Sequence, residues 1–135
     1  MRTEFISVSQ NEGFARSVAS AFVLELDPTV QELSEIKTAV SEAVTNAVIH
    51  GYGSEIGKIV MEGYISENTV EFVITDEGVG IEDVDLAMEA MYTGSEDEER
   101  SGLGFTIMES FMDELEVRSA RGIGTTVRMR KKIGA

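Results

Sequence analysis

Glu42, Asn46 and His50 follow one another at four-residue intervals within SEAVTNAVIHG, residues 41–51, so on a helix a carboxylate, an amide and an imidazole share one face. A carboxylate in that place can orient or deprotonate an attacking hydroxyl or water. One turn on, Asn46 offers an uncharged oxygen of the kind Mg2+ accepts alongside phosphate oxygens and water. His50 fits a structural role, a helix C-terminal residue interacting with the last carbonyls. The plain alternative is that Glu42 and Asn46 face solvent on a half-exposed helix.

Two further stretches carry chemistry. DEGVG, residues 76–80, sets Asp76 at the end of an apolar strand and follows it with Gly78 and Gly80, which let a backbone approach a ligand closely. A carboxylate so placed can accept a hydrogen bond from an exocyclic amine; the competing reading is a turn-forming Asp-x-Gly. ERSGLGF, residues 99–105, runs glycines into an expected helix N-terminus, where unpaired N–H groups and the helix dipole favour phosphate. Arg100 can fork onto a terminal phosphate. The competing readings are a glycine-rich hinge and a surface ion pair. Taken together, an amine-reading carboxylate, a phosphate-binding helix start and a magnesium-binding amide are complementary to one ligand, a magnesium-bound adenine nucleotide.

The elements that must position these groups follow from periodicity. Residues 5–9 alternate as a first strand, and Ser9 with Glu12 has the spacing of a capping box. Phe14, Val18, Phe22 and Leu26 then recur every four residues, with Ala15 and Ala19 beside them, in a helix that ends before Asp27-Pro28. Thr29 and Glu32 form a second capping box, opening a helix to His50 that stops at Gly51, its apolar stripe being Leu33, Ile36, Val40, Ala43, Val44, Ala47 and Val48. Residues 59–66 and 69–76 read as a hairpin turning at Glu67-Asn68. A short helix over residues 83–91, a loop over 92–104, a helix from Phe105 to about Asp113 and strands at 115–119 and 124–130 complete the chain. Helices on one face of a mixed, mostly antiparallel sheet, an α+β two-layer sandwich in a single domain over residues 1–135, is the layer solution for that order.

Composition narrows the function classes. The formal net charge is −14 and would repel a polyphosphate backbone, so nucleic acid is a poor partner. Seven of the eleven basic residues lie from Arg100 onward, so an anionic ligand should meet the C-terminal third. No apolar run approaches the roughly 18 residues that span a bilayer, and the N-terminus lacks a secretory pattern. The absence of cysteine excludes thiolate chemistry and disulfides, and fits a reducing cytoplasm.

These motifs resemble those of the GHKL (Bergerat-fold) ATPases: Glu42-Ala43-Val44-Thr45-Asn46-Ala47 looks like the N box, Asp76-Glu77-Gly78-Val79-Gly80 like the G1 box, and Gly102-Leu103-Gly104 like the G2 box. SEAVTNAVIHGY, ERSGLGFTIMESFMDE and GTTV carry a closer likeness to the anti-sigma factor serine kinases, their sporulation branch above all. The resemblance implies that Asp76 binds the adenine amine, supported by Thr125 or Thr126, while Gly78 and Gly80 admit the nucleotide. It implies Asn46 as the Mg2+ ligand and Glu42 as the base that takes a proton from serine. Arg100, Ser101, Gly102, Leu103 and Gly104 would hold the phosphates of ATP or ADP under a lid over residues 92–104. The segment Thr93-Gly94-Ser95-Glu96-Asp97-Glu98 has no lysine, where related lids commonly carry a basic residue, so it implies fewer phosphate contacts. The implied partners are a sigma factor, an anti-anti-sigma (STAS) protein carrying the acceptor serine, and a second copy of the chain; Arg16 is a candidate partner contact. A nucleotide-gated sigma-binding module without phosphotransfer, and a stand-alone ATP hydrolase, are the alternatives.

Overall fold

A computed structural model describes the backbone of residues 1–81 and 96–134, and the side chains of all of these except 96–102. The helix expected over 83–91 and the first lid residues, 92–95, lie outside the described residues. Five strands form one sheet: β1 (Arg2–Ile6), β2 (Lys58–Ser66), β3 (Thr69–Asp76), β4 (Glu114–Ala120) and β5 (Gly124–Lys132), in the order β1-β2-β3-β5-β4. Among the described residues every ladder is antiparallel. Helices α1 (Gln10–Val23), α2 (Val30–Asn46) and α3 (Glu96–Phe111) pack on one face.

The β2–β3 hairpin turns at Glu67-Asn68 as expected, with Ser66 opposite Thr69 and Glu67 at a φ of 55°. Because side chains alternate across a strand, this register sends Val70, Phe72, Ile74 and Asp76 to the helix side together. On the other face of the sheet Glu71 is bonded by Arg128 and by Arg130 at 2.5 Å, and Arg130 reaches Glu114 at 3.2 Å.

Thr29 and Glu32 form the expected capping box: the Glu32 N–H donates to Thr29 Oγ1 at 3.0 Å and the Thr29 N–H to Glu32 Oε1 at 2.9 Å. Ser9 and Glu12 do not. Ser9 is already in the helical region, at φ −60° and ψ −28°, which turns its hydroxyl away from the third N–H, and makes no side-chain cap bond. At the entrance the Asn11 amide instead ties the helix to the preceding strand, donating to the Ile6 carbonyl at 2.8 Å. The first strand is correspondingly earlier than expected, with Phe5 paired to Ile59.

The buried line of α1 is Ala15, Ala19 and Val23, all at 0% exposure, whereas Phe14 is 45% exposed. Small residues in that line let α1 approach α2, and the bulkier Phe22 packs half-buried onto the sheet, edge-on to Phe72 with ring centroids 6.1 Å apart. The α2 stripe is buried as its period implies, with Ile36, Val40, Ala43 and Val44 at 0–1%. Past Asn46 the chain does not stop at Gly51 but widens into a π-helical turn, Ala47–Tyr52.

The largest departure is α3. Residues 96–104, expected as loop, are helical. Residues 96–99 are Glu, Asp, Glu and Glu, types that a helix dipole favours in the first turn, and Glu and Arg are good helix formers, so a sequence with little to bury still forms helix there.

Candidate functional site

Asp76 is the last residue of β3, opposite Thr125 of β5 and Ile59 of β2, and is 6% exposed. Its Oδ1 accepts the Gly78 N–H at 2.9 Å, and the Thr125 N–H also bonds to it. Burial pushes the carboxyl up from its ordinary range, and those two N–H groups offset part of that rise. Thr125 itself is held by Ser119, whose hydroxyl lies 2.8 Å from Thr125 Oγ1, donates to the Gly124 carbonyl at 3.0 Å and receives the Ile81 N–H at 2.6 Å. Thr126, one residue on, points to the opposite face of the sheet beside Glu116, Arg118 and Arg128, so of the two threonines it is Thr125 that stands with Asp76.

The π-helical turn is what brings α2 to this strand end. It carries Gly51 against the Asp76 carboxylate and lets the Gly51 carbonyl accept the Val79 N–H at 2.9 Å. Tyr52 closes the junction, its hydroxyl donating to the Lys58 carbonyl at 2.5 Å and accepting the Glu77 N–H at 2.7 Å. A Cβ on Gly78 would lie 2.1 Å from the Gly51 carbonyl oxygen, and one on Gly80, at a φ of 77°, 2.1 Å from that of Ala120. These glycines therefore serve backbone approach within the protein itself.

Asn46, His50, Gly51, Asp76, Phe105 and Thr125 are among the residues that line one cavity between α2, α3 and the β3–β5 ends. Glu42 lies one turn before Asn46, and α3 crosses both: a Cβ on Gly104 would come 3.0 Å from Glu42 Oε2 and 3.5 Å from either end of the Asn46 amide. Glu42 is half-buried, and its carboxyl is pushed up first by burial and then by the like charge of Glu12. The Asn46 Nδ2 is buried and has no hydrogen-bond partner among the described residues, a costly condition for an amide and one that points to a polar ligand.

Residues 8–131 match the family described as histidine kinase-like ATPase domain. The chain belongs to this family. Anti-sigma F factors are among its relatives: that of Thermoanaerobacter sp. (strain X514) is 55% identical over 135 residues, covering 100% of this chain and 94% of that protein. That of Clostridium perfringens (strain SM101 / Type A) is 53% identical over 134 residues, covering 98% and 96%. The crystal structure of the RsbU and RsbW domains of Rv1364c from Mycobacterium tuberculosis has the same fold, with a TM-score of 0.70 and 18% identity over 98% of this chain and 31% of that one. The catalytic domain of the histidine kinase ThkA matches with a TM-score of 0.60 and 16% identity over 98% and 96%. Nucleotide binding is implied by that family. Among the described residues, no helix is long and apolar enough to cross a membrane.

In this member of the family one expectation fails. Gly102, Leu103 and Gly104 lie in the interior of α3, which begins at Glu96, so they do not present free N–H groups at a helix start. Gly104 is buried against Glu42 while Leu103 is 53% exposed. The side chains of Arg100 and Ser101, and that of any residue placed at Gly102, lie outside the described ones. Sequence reasoning also passed over Gly51, Tyr52 and Ser119. The first two adjoin His50 in HGY, a readable signal; an isolated Ser119 in a strand gives none.

Proposed function

We propose that this protein is an ATP-dependent protein-serine kinase that also binds and inhibits a sigma factor. The observation that carries this reading is the half-buried Glu42 one turn before Asn46, whose buried Nδ2 has no partner among the described residues and which lines one cavity with the buried Asp76. In this reading Asp76 accepts the adenine amine, with Thr125 held beside it by Ser119. Among the described residues no three His, Cys, Asp or Glu side chains could enclose a metal ion. Asn46 fits a cation that keeps most of its ligands from phosphate and water, because turning its amide presents Oδ1 where Nδ2 finds no partner. Mg2+ bound there would neutralise charge on the phosphates.

Glu42 then takes the proton of a serine hydroxyl as the new Oγ–P bond forms and the bond from the γ-phosphorus to the bridging oxygen breaks, releasing ADP. Arg100 would bear on the terminal phosphate, and Ser101, Gly102, Leu103 and Gly104 on the phosphates through backbone N–H groups. That role requires α3 to open as far as Gly104, which two glycines in three positions make easier, each costing helix about 1 kcal/mol relative to alanine. The names of the relatives support a sigma factor as the inhibited partner. The acceptor is a serine on a small anti-anti-sigma (STAS) protein, the working unit a homodimer, the setting the cytoplasm of a sporulating cell, and Arg16 a contact to a partner.

The test is the intact mass of a STAS protein from the same genome after incubation with this protein and Mg·ATP, with Glu42→Ala alongside. One added phosphoryl group on serine, absent with Glu42→Ala, is the expected result. No added mass, in a sample that binds both Mg·ATP and the STAS protein, would replace the kinase with a nucleotide-gated binding module. Steady phosphate release without a protein acceptor would replace it with a hydrolase.

A further inference from the structure

Glu12 was marked in the sequence as half of a capping box, and the structure releases it from that duty. Both of its carboxylate oxygens reach away from the α1 entrance. Oε1 receives Arg16 Nη1 at 3.0 Å, and Oε2 receives the hydroxyl of Thr45, on α2, at 3.3 Å. Arg16 Nη1 also donates to Ser41 Oγ at 3.3 Å. Ser41 and Thr45 stand one residue before and three after Glu42, so both bonds from α1 land on the turn that carries Glu42. The Ser41 end of the strap is 9% exposed.

We propose that Glu12 is a positioning residue for Glu42, tied in place by Arg16 on its own helix and by Thr45 on α2. The proposal rests on the reading of Glu42 as the base. Its physical content is double: the strap fixes the Glu42 turn against α1, and it parks a second carboxylate near Glu42 with an arginine beside it to balance the charge. Next to Glu42, the side chains of Ser41, Thr45 and Asn46 on its own helix are uncharged; from α3 it faces the Gly104 backbone, and Arg100 lies one turn earlier on that helix. On α1 the charged groups are Glu12, with Arg16 behind it. Removing Glu12's charge should therefore make Glu42 give up its proton more readily, and removing Arg16's charge should do the opposite. A purely structural strap predicts no such opposition of sign.

The test is a carboxyl 13C NMR titration of the full chain carrying δ-13C glutamate, without nucleotide, with the Glu42 signal assigned by its loss in Glu42→Gln. In Glu12→Gln the Glu42 midpoint should fall, and in Arg16→Gln it should rise, each by on the order of half a pH unit. Arg16→Lys, which keeps the charge, should return it close to wild type. Midpoints that stay put, or that move the same way in the two Gln variants, overturn the proposal; if Arg16→Gln does not fold, the absence of a fall in Glu12→Gln suffices to do so. The acid limb of the phosphotransfer rate is measured on the same variants. Should the NMR midpoints move in opposite directions while that limb does not follow, the positioning pair stands and Glu42 as base fails.

Discussion

At Asp76 a carboxylate is kept in a place that disfavours its charge. Burial raises its proton affinity, and the N–H groups of Gly78 and Thr125 offset that only in part. Because its folded value lies above the unfolded one, ionised Asp76 costs the free protein stability: the penalty is absent below the unfolded value and grows as pH rises through the folded one. A bound amine that donates to the ionised carboxylate relieves it. ADP should therefore raise the melting temperature more at pH 7 than at a pH acid enough to protonate the raised carboxyl, where the proton competes with the nucleotide. Asp76→Asn should weaken ADP binding by about 10- to 100-fold, the worth of a hydrogen bond to a charged group of about 1.5–3 kcal/mol, and should remove that pH dependence. Calorimetric titration at the two pH values checks both; undiminished affinity in the variant would take the adenine contact away from Asp76. Tyr52 answers to the same junction. Tyr52→Phe leaves the Glu77 N–H without its acceptor and the Lys58 carbonyl without its donor, and should cost about 1 kcal/mol in urea unfolding, with ADP affinity falling as the turn loosens.

Between elements, the π-helical end of α2, the turn after β3 and the β4–β5 hairpin are locked backbone to backbone. Gly78→Ala would drive a methyl to 2.1 Å from the Gly51 carbonyl, so a main chain must move. Gly122, at a φ of 80°, has nothing within 4 Å of such a methyl among the described residues, so Gly122→Ala bears only the left-handed backbone penalty. Denaturant unfolding should show about 1–2 kcal/mol lost for Gly122→Ala and roughly twice that or more for Gly78→Ala, with ADP binding lost only in the latter. Equal losses would mean that the junction yields. Much of this architecture was legible: the Thr29/Glu32 box, the hairpin at Glu67-Asn68 and the α2 stripe all obey local rules of capping, turn chemistry and period. What escaped the sequence was set by neighbours. On α1, Val18, Phe22 and Leu26 pack against the core as their period implies, but Phe14 is exposed and the fully buried line runs through Ala15 and Ala19, because helix approach rewards small residues over large ones. Ser9 lost its cap because the backbone entered the helix one residue early. The start of α3 was misread because a lack of apolar residues argues against burial and not against helix. At the site, Asp76, Asn46 and Glu42 stand out in the sequence by type and spacing, and the fold brings Asn46 and Asp76 to one cavity, while Thr125 could be separated from Thr126 only by strand register, and Ser119 by nothing before the fold was known.

Over the whole molecule, 25 acidic residues face 11 basic ones, and the excess is unevenly spread. The open face of the sheet is locally balanced by the Glu71, Arg128, Arg130 and Glu114 ladder. Burial raises Glu71, but the bonds and charges of Arg130 and Arg128 outweigh it and hold the carboxyl below its ordinary range, so this contribution persists at neutral pH and is lost only as acid titrates Glu71. The net −14 must then be carried elsewhere on a small surface, where like charges repel through water over distances that salt can screen. Two electrostatic terms of opposite sign thus respond to salt. Partly exposed ion pairs are worth about 0–1 kcal/mol each and lose part of that on screening, while the long-range repulsion of the folded state loses most of its reach once the Debye length falls to about 10 Å. The repulsive term is the larger because every uncompensated acid contributes to it. Raising NaCl from about 0.02 M to about 0.2 M at pH 7 should therefore raise the melting temperature, by roughly 3–5 °C. A fall over the same range in scanning calorimetry would mean that the sheet-face ladder, and not the acidic excess, governs the electrostatic part of stability.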